Sequence, residues 1–259
     1  VDAQMKRYKV PCVAFVNKCD RSGANPPRVV EQLKTRLGHN ALLMQLPIGL
    51  EADFQGIVDL ISMKAVYFDG AGGELLRTEA VPESLLPEAI SRREELIDSV
   101  SLFSDSLTEA ILEGTEISEA MIMEAVRQGT LERKITPVFI GSAYKNKGIQ
   151  PLLDAVTRYL PCPADIENSA LDLSREEAPV QLTGNTEDPV VALAFKLEDG
   201  IYGQLTYIRV YQGILSRGAT VVNARDGKKV RIGRLVRMHA DQMEDIEAIH
   251  AGYIGALFG

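Results

Sequence analysis

Two segments of this chain repeat one local order: a buried strand, a polar loop and an amphipathic helix. In the first segment, Val10–Val16 is almost entirely apolar and includes β-branched residues, as is typical of a buried parallel strand. Asn17–Asp20 follows this strand, and next comes a helix that Pro26 and Pro27 open and Gly38 ends. This order predicts a strand–loop–helix unit of an α/β fold.

The second segment begins with the apolar strand Ile135–Ile140, continues through a loop at 141–148 and ends in a second helix. About 95 residues of different character separate the two segments. We therefore predict one α/β domain, formed by residues 1–37 and 134–161, that an insertion at 38–133 interrupts.

The predicted insertion is strongly acidic. Residues 38–133 hold 6 Lys or Arg and 18 Asp or Glu, a net charge of −12, whereas the rest of the chain carries +4. Short strand-like stretches come first, and from Pro82 the apolar spacing becomes helical. Ser118 is placed to cap a helix that we expect to end at Gly129. We interpret this part as an α+β subdomain with an acidic, solvated face.

The remainder of the chain changes character at Cys162. Residues 162–188 are polar and show no periodicity, which predicts a linker. From residue 189 to 259, short alternating stretches separated by glycine-rich turns predict a small β-barrel. Asp226-Gly227 between two of these stretches is a strong hairpin signal.

Composition excludes several classes of protein. Apolar residues make up 46% and charged residues 25%, which supports ordinary cores rather than disorder. The apolar runs are too short to span a bilayer. The sequence shows no charged segment followed by an apolar one of the kind that directs export. The cysteines and histidines show neither a disulfide framework nor metal-ligand spacing. They are Cys12, Cys19, Cys162, His39, His239 and His250.

These observations favour a reducing, intracellular compartment, and we expect a cytoplasmic monomer with no membrane contact and no metal site. The chain opens on Val1 in what reads as mid-domain sequence and stops directly after an apolar run. We therefore expect it to be a fragment of a longer protein.

The first loop carries Asn17-Lys18-Cys19-Asp20, a pattern suited to guanine. The Asp20 carboxylate can accept two hydrogen bonds, from N1–H and the exocyclic N2 amine of guanine, whereas adenine presents an acceptor at N1. The aliphatic stem of Lys18 can lie along the base plane, and Asn17 can donate to the base and join neighbouring loops. Coincidence is the competing interpretation of so short a motif, but α/β sheets bind ligands where this loop is placed, after a buried strand.

Gly141-Ser142-Ala143 occupies the equivalent position in the second segment. Small residues there allow backbone N–H groups to approach a flat base and to donate to the O6 atom of guanine. Lys145 can add packing on the nucleoside. Alone, Gly-Ser-Ala is also an ordinary loop, but combined with the first motif it predicts a guanine-binding site.

These motifs resemble those of the elongation factor G family of translational GTPases. Residues 17–25 are similar to the family's guanine-specificity segment, and Gly141–Gly148 is similar to its second base-contacting loop. The stretch LPIGLEADFQGIVDLISMKAV resembles the start of the family's insertion subdomain, and Arg209-Val-Tyr211-Gln-Gly213 resembles its second-domain barrel. The resemblance covers essentially the whole chain.

The resemblance implies a fold class of α/β plus β: a partial P-loop GTPase (Rossmann-like) domain with an α+β insertion, followed by a small translation-factor β-barrel. It implies a ribosome-dependent GTPase that uses GTP, GDP and Mg²⁺ and promotes translocation of tRNA and mRNA. The insertion would approach the ribosomal stalk protein, and the barrel would approach rRNA of the small subunit. The guanine contacts it implies are Asn17, Lys18, Asp20, Gly141, Ser142, Ala143 and Lys145.

Several of the family's elements do not occur in this sequence. It contains no G-x-x-x-x-G-K-[ST] phosphate loop and neither of the two switch segments, one of which helps to orient the attacking water. The third to fifth domains and the end of the barrel are missing too. We therefore expect the parent protein to be the GTPase, and this chain to hold no catalytic residue, no Mg²⁺ ligand and little affinity for GTP.

Six basic residues cluster around the Asp226-Gly227 hairpin, with Asp226 the only acid between them in the sequence. Such a cluster can contact RNA phosphates, and the competing interpretation is a charged edge that prevents strand pairing between molecules. The six residues are Arg225, Lys228, Lys229, Arg231, Arg234 and Arg237.

Two further functions stay open at this point. The chain can come from a paralogous translational GTPase, such as a ribosome recycling or protection factor. It can also be a stand-alone, non-catalytic RNA- or protein-binding module that keeps an inactive half-site.

Overall fold

A computed structural model describes residues 1–200 and 203–258, and the chain divides into two compact units, Val1–Pro161 and Cys162–Gly259. The division falls where the sequence changes character. The helices are α1 (Asp2–Arg7), α2 (Pro26–Leu37), α3 (Leu86–Val100), α4 (Asp105–Glu113), α5 (Glu119–Leu131) and α6 (Ile149–Tyr159). The strands of the first unit are β1 (Ala14–Val16), β2 (Ala41–Leu43), β3 (Gln45–Ile48), β4 (Gly56–Asp59), β5 (Lys64–Asp69), β6 (Leu75–Ala80) and β7 (Thr136–Ile140).

The two repeated segments meet in a three-stranded parallel sheet of order β1-β7-β2. Val16 of β1 pairs with Ile140 of β7, so the loops that follow these strands leave the same edge of the sheet. Asn25 caps α2 by accepting a hydrogen bond from the Arg28 N–H, and Gly38 ends that helix in the left-handed conformation. Both strand–loop–helix predictions are confirmed.

The parallel sheet contains one strand from the region predicted to be the insertion. Strand β2 pairs with β7, with Ala41 opposite Thr136, although residues 41–43 fall inside the predicted insertion. The apolar run ALLMQLPI supplies two consecutive strands, β2 to the parallel sheet and β3 to the next sheet. The predicted boundary at residue 38 therefore does not coincide with an edge of the parallel sheet.

The acidic region combines an antiparallel sheet of order β3-β4-β5-β6 with helices α3, α4 and α5. Ser118 caps α5 as predicted, but the helix continues past Gly129 to Leu131. Gly129 is kept small by packing rather than by helix termination, because a Cβ there would lie 2.8 Å from a ring atom of Phe103. The core beneath these elements includes Leu96, Leu107, Ile122 and Val126.

The second unit is built from β-strands. Its largest sheet has the order β10-β11-β18-β15-β16, and two-stranded sheets pair β12 with β17, β13 with β14 and β8 with β9. The strands are β8 (Asn168–Asp172), β9 (Ala178–Leu182), β10 (Val191–Gly200), β11 (Gly203–Gln212), β12 (Ile214–Ser216), β13 (Thr220–Val222), β14 (Lys229–Arg231), β15 (Leu235–His239), β16 (Gln242–Ile246), β17 (Ala248–His250) and β18 (Ile254–Phe258).

The structure confirms the predicted hairpin at Asp226-Gly227 but places additional strands within the predicted linker. Strands β13 and β14 flank Asp226-Gly227, so the predicted hairpin is confirmed. Strands β8 and β9 form a second hairpin inside the predicted linker, residues 162–188. None of their residues is fully buried, which explains why the sequence shows no strong apolar alternation there.

Among the residues that the structure describes, no helix combines the length and the apolar character needed to cross a membrane.

Candidate guanine-nucleotide site

The first loop (Asn17–Asp20) and the second loop (Gly141–Lys147) lie side by side at the carboxyl edge of the parallel sheet. The backbone joins them twice. The Gly141 N–H donates to the Val16 carbonyl at 3.0 Å, and the Cys19 N–H donates to the Gly141 carbonyl at 3.0 Å. The pairing of β1 with β7 thus continues into both loops and holds the two motifs together.

Asn17 links the loops through its side chain. Its Oδ1 atom accepts from the Ala143 N–H at 2.9 Å and from the Lys18 N–H at 2.7 Å. Lys18 has a φ of 65°, a left-handed conformation that is uncommon for a residue with a side chain. A side chain that stabilises such backbone strain is a feature of binding loops.

Asp20 lies where the two loops meet. A hydrogen bond from the Ser142 side chain lowers the pKa of Asp20, and the charges of Arg21 and Lys145 lower it further. Ser142 itself is buried, so its hydroxyl is held against the carboxylate. Asp20 is consequently an anionic hydrogen-bond acceptor at neutral pH.

The second loop has no space for a side chain at its first residue. A Cβ on Gly141 would lie 2.2 Å from the Lys147 carbonyl oxygen and 2.8 Å from the ring of Phe15. Ser142 and Lys147 exchange two backbone hydrogen bonds at 2.9 and 3.0 Å, which close the loop. The loop therefore has a fixed shape that depends on close backbone approach.

The predicted residues differ in exposure. Ser142 and Gly141 are buried, whereas Asn17, Lys18, Ala143 and Lys145 are exposed at the surface of the site. The Lys145 ammonium lies 5.8 Å from the centre of the Tyr144 ring. All seven predicted residues thus lie on two adjoining loops.

Cys19, the variable position of the first motif, points away from solvent. It is 1% exposed and packs with Phe54 and Ile140. Burial raises the pKa of its thiol. Cys19 anchors the first loop to the core and takes no part in the polar surface.

Residues from the acidic region also support the loops, and sequence reasoning missed them. Glu51 accepts a hydrogen bond from the Gly23 N–H at 2.6 Å. The Lys147 ammonium donates to the Phe54 carbonyl at 2.9 Å. Gln45 is fully buried, and its Oε1 atom accepts from the Ile140 N–H at 3.2 Å. No local sequence motif predicts these contacts, because each contact joins residues that are 28 to 95 positions apart.

Metal-ligating side chains are not clustered in the described part of the chain. Within residues 1–200 and 203–258, no group of three or more His, Cys, Asp or Glu side chains is arranged to hold a metal ion.

The six basic residues near the β13–β14 hairpin separate into two sets. Arg234 and Arg237 form ion pairs with Asp245 and Glu244 of β16, at 2.6 and 3.7 Å. The hydrogen bond to Asp245 raises the pKa of Arg234. Asp226 is the only acidic residue between these basic residues in the sequence. In the folded chain, however, Asp245 and Glu244 also lie beside them.

The remaining four basic residues are Arg225, Lys228, Lys229 and Arg231, all exposed on the hairpin. Lys228 forms an ion pair with Asp226 at 3.4 Å. Within the described part of the chain, Arg225, Lys229 and Arg231 form no ion pair, so their charge faces solvent.

Comparisons with known proteins agree with this fold. The sequence profile of the elongation factor Tu GTP-binding domain matches residues 1–162, and that of elongation factor Tu domain 2 matches residues 203–259. The chain belongs to the family of elongation factor Tu GTP-binding domains.

Three curated proteins to which the chain is similar over its whole length are each named elongation factor G. The chain is 99% identical over 259 residues to elongation factor G 1 of Syntrophus aciditrophicus (strain SB) and covers 37% of that protein. It is 59% identical over 259 residues to elongation factor G 2 of Anaeromyxobacter dehalogenans (strain 2CP-C), and it covers 37% of that protein too. It is also 49% identical over 263 residues to the mitochondrial elongation factor G of Anopheles gambiae, of which it covers 35%. Each comparison covers 100% of this chain, so the predicted resemblance is confirmed over its whole length.

The fold also matches a solved structure. A crystal structure of a protein from Thermus thermophilus superposes with a TM-score of 0.75 at 23% sequence identity. The match covers 97% of this chain and 34% of the other. It supports the predicted fold, an α/β unit followed by a β-rich unit.

Proposed function

We propose that this chain supplies the guanine-recognition half of the nucleotide site in a ribosome-dependent GTPase that promotes translocation of tRNA and mRNA. The observation that carries the proposal is the direct contact between the two motifs, made by Asn17 and Ala143. Residues that lie 126 positions apart in the chain meet at the sheet edge where α/β folds bind ligands.

The geometry supports a division of roles within the site. The Asp20 carboxylate, whose pKa the hydrogen bond from Ser142 lowers, accepts from the N1–H and N2 amine of guanine. Gly141 permits the backbone of the second loop to approach the O6 atom closely, and the hydrogen bond from the Ala143 N–H to Asn17 fixes the position of that backbone. Lys18 and Lys145, both exposed, cover the base and the nucleoside with their aliphatic stems.

Phosphate and magnesium binding are assigned to other parts of the parent protein. No phosphate-loop motif occurs in the sequence, and triphosphate contacts supply much of the binding energy in enzymes that have one. We expect calorimetry on this chain alone to detect weak GTP binding or none. Submicromolar affinity would contradict that expectation.

The ribosome is the proposed partner of the parent protein, which we place in the cytoplasm. The solvent-facing cations of the β13–β14 hairpin suit contact with rRNA of the small subunit. The acidic region suits contact with a protein, since its net charge repels RNA. We propose the ribosomal stalk as that protein, following the family resemblance.

Base specificity gives the decisive test. In a full-length elongation factor G that contains this segment, Asp20→Asn replaces an acceptor by a donor that matches the C2 carbonyl of xanthine. We expect guanine nucleotides to lose about 100-fold or more in affinity and xanthine nucleotides to gain. Competition titrations with GDP and XDP measure both.

Asp172→Asn is the matched control, because a serine side chain, that of Ser174, also lowers the pKa of Asp172, but in the second unit. This control should leave base preference unchanged. An Asp20→Asn protein with unaltered preference would remove Asp20 from the site.

A further inference from the structure

The turn Gly49–Phe54, which connects β3 to β4, contacts both base-recognition loops. Its Glu51 N–H donates to the Cys19 carbonyl at 2.8 Å, and the Glu51 carboxylate accepts from the Gly23 N–H at 2.6 Å. At its other end, the Phe54 carbonyl accepts from the Lys147 ammonium. One short turn therefore holds the first loop and the second loop at once.

Close backbone approach restricts the conformation of the turn. Gly49 has a φ of 72°, and a Cβ there would lie 1.9 Å from the Asp53 carbonyl oxygen. Glu51 also adopts a left-handed conformation, with a φ of 58°. The Gln55 N–H donates back to the Ile48 carbonyl at 2.9 Å, which closes the base of the turn.

The core fixes the turn from below. Phe54 is 3% exposed and packs in one cluster with Cys19 and Ile140, the residues at the roots of the two loops. The Glu51 side chain, by contrast, is exposed, and its carboxylate accepts a hydrogen bond from the Gly23 N–H. Removing its carboxylate therefore leaves the core packing intact.

We propose that Glu51 is a positioning residue for guanine recognition: its carboxylate holds Gly23 in the segment that directly follows the first loop, so that Asp20 meets the base in a single orientation. The proposal rests on the proposed guanine site and adds to it a residue from outside both motifs. Gly23 has a φ of 81° and lies in a turn that the Ala24 N–H closes by donating to the Arg21 carbonyl at 3.1 Å. The Glu51 carboxylate adds to this turn a contact from a distant part of the chain.

The expected effect follows from the loss of one charge-assisted hydrogen bond. In a full-length elongation factor G that contains this segment, Glu51→Ala should weaken GDP binding by about three- to tenfold. The change should lie mainly in faster dissociation, because a mobile loop releases the base more often. Glu51→Gln keeps an acceptor oxygen and should restore affinity to within about twofold of the unsubstituted protein.

A second variant acts on the same turn without touching the loops. Gly49→Ala introduces the clash with the Asp53 carbonyl and should displace Glu51, so its GDP dissociation should be accelerated in the same way. Asp172→Ala is the matched control, since Asp172 also accepts from an exposed backbone N–H, that of Ser174, in the second unit. It should leave GDP dissociation unchanged.

The readouts are stopped-flow dissociation of a fluorescent GDP and the thermal unfolding midpoint of each variant. Faster dissociation in Glu51→Ala at an unchanged midpoint, with recovery in Glu51→Gln, supports the positioning role. For Glu51→Ala, a GDP affinity within twofold of the unsubstituted protein overturns the proposal, as does an affinity loss that only accompanies a lowered midpoint. If Asp20→Asn switches base preference while Glu51→Ala has no effect, the positioning role alone is wrong. If neither variant has an effect, the proposed guanine site is wrong as well.

Discussion

The amide oxygen of Asn17 accepts a hydrogen bond from the backbone N–H of Ala143 at 2.9 Å, across 126 positions of sequence. The same oxygen accepts from the Lys18 N–H, so one exposed side chain fixes a strained backbone and joins two loops. The relationship exists because β1 and β7 are parallel neighbours whose carboxyl ends meet at one edge. A local change at Asn17 should therefore affect the whole candidate site.

Asn17→Ala removes both acceptor contacts and, under the proposed function, a contact to the base. In the full-length protein we expect GDP affinity to fall by about tenfold or more, measured by titration of a fluorescent nucleotide. Asn25→Ala provides the comparison, because Asn25 accepts a similar backbone bond at the start of α2. That variant should lose about 1 kcal/mol of stability with little change in affinity. Equal affinities in the two variants would contradict the linking role of Asn17.

Gly141→Ala tests the close approach in the second loop. The added methyl group would lie 2.2 Å from the Lys147 carbonyl, and we expect a loss of about 2–4 kcal/mol in the free energy of unfolding. Gly38→Ala has open space around it and strains only a left-handed backbone, so it should cost about 1 kcal/mol. Hydrogen exchange of the β7 amides reports the local stability in each case. A smaller loss of free energy of unfolding for Gly141→Ala than for Gly38→Ala would show that the second loop can adjust to accept a side chain.

Cysteine reactivity reports the packing beneath the first loop. Cys19 is buried, and burial also raises the pKa of its thiol, whereas Cys162 is exposed. We expect iodoacetamide to modify Cys162 at least about tenfold faster than Cys19. The difference should disappear in denaturant. Peptide mass spectrometry measures both rates, and fast labelling of Cys19 in the folded protein would contradict the buried placement.

Salt dependence tests the basic hairpin. Under the proposed rRNA contact, Lys229→Glu with Arg231→Glu should weaken ribosome binding and reduce the slope of log affinity against log salt by about one unit per lost phosphate contact. Arg234→Ala should change the slope less, because Arg234 is already paired with Asp245. Filter binding of the full-length protein to ribosomes at several salt concentrations gives the slopes. Identical slopes in all variants would favour the alternative role of the hairpin as a protective edge.

The local elements were predictable because their signals are local. Helix α2 begins and ends at residues whose capping chemistry is visible in the sequence, Asn25 and Gly38. Sequence patterns gave wrong or missing predictions where side-chain packing set the secondary structure. Gly129 resembles a helix terminator, yet it lies inside α5 because Phe103 occupies the space of a side chain. The β8–β9 hairpin was missed because it buries too little apolar surface to leave a pattern.

The chemical groups of the candidate site can be read from the residue order: a carboxylate, an asparagine amide, a loop of small residues and lysine stems, all placed directly after two buried strands. Which of these groups meet was settled by the fold. It placed Asn17 against Ala143, brought Glu51 to Gly23 and paired Arg234 with Asp245. The reason is physical: side-chain chemistry is local to a residue, whereas each of these contacts depends on strand pairing and packing that bring distant backbone segments within hydrogen-bond distance.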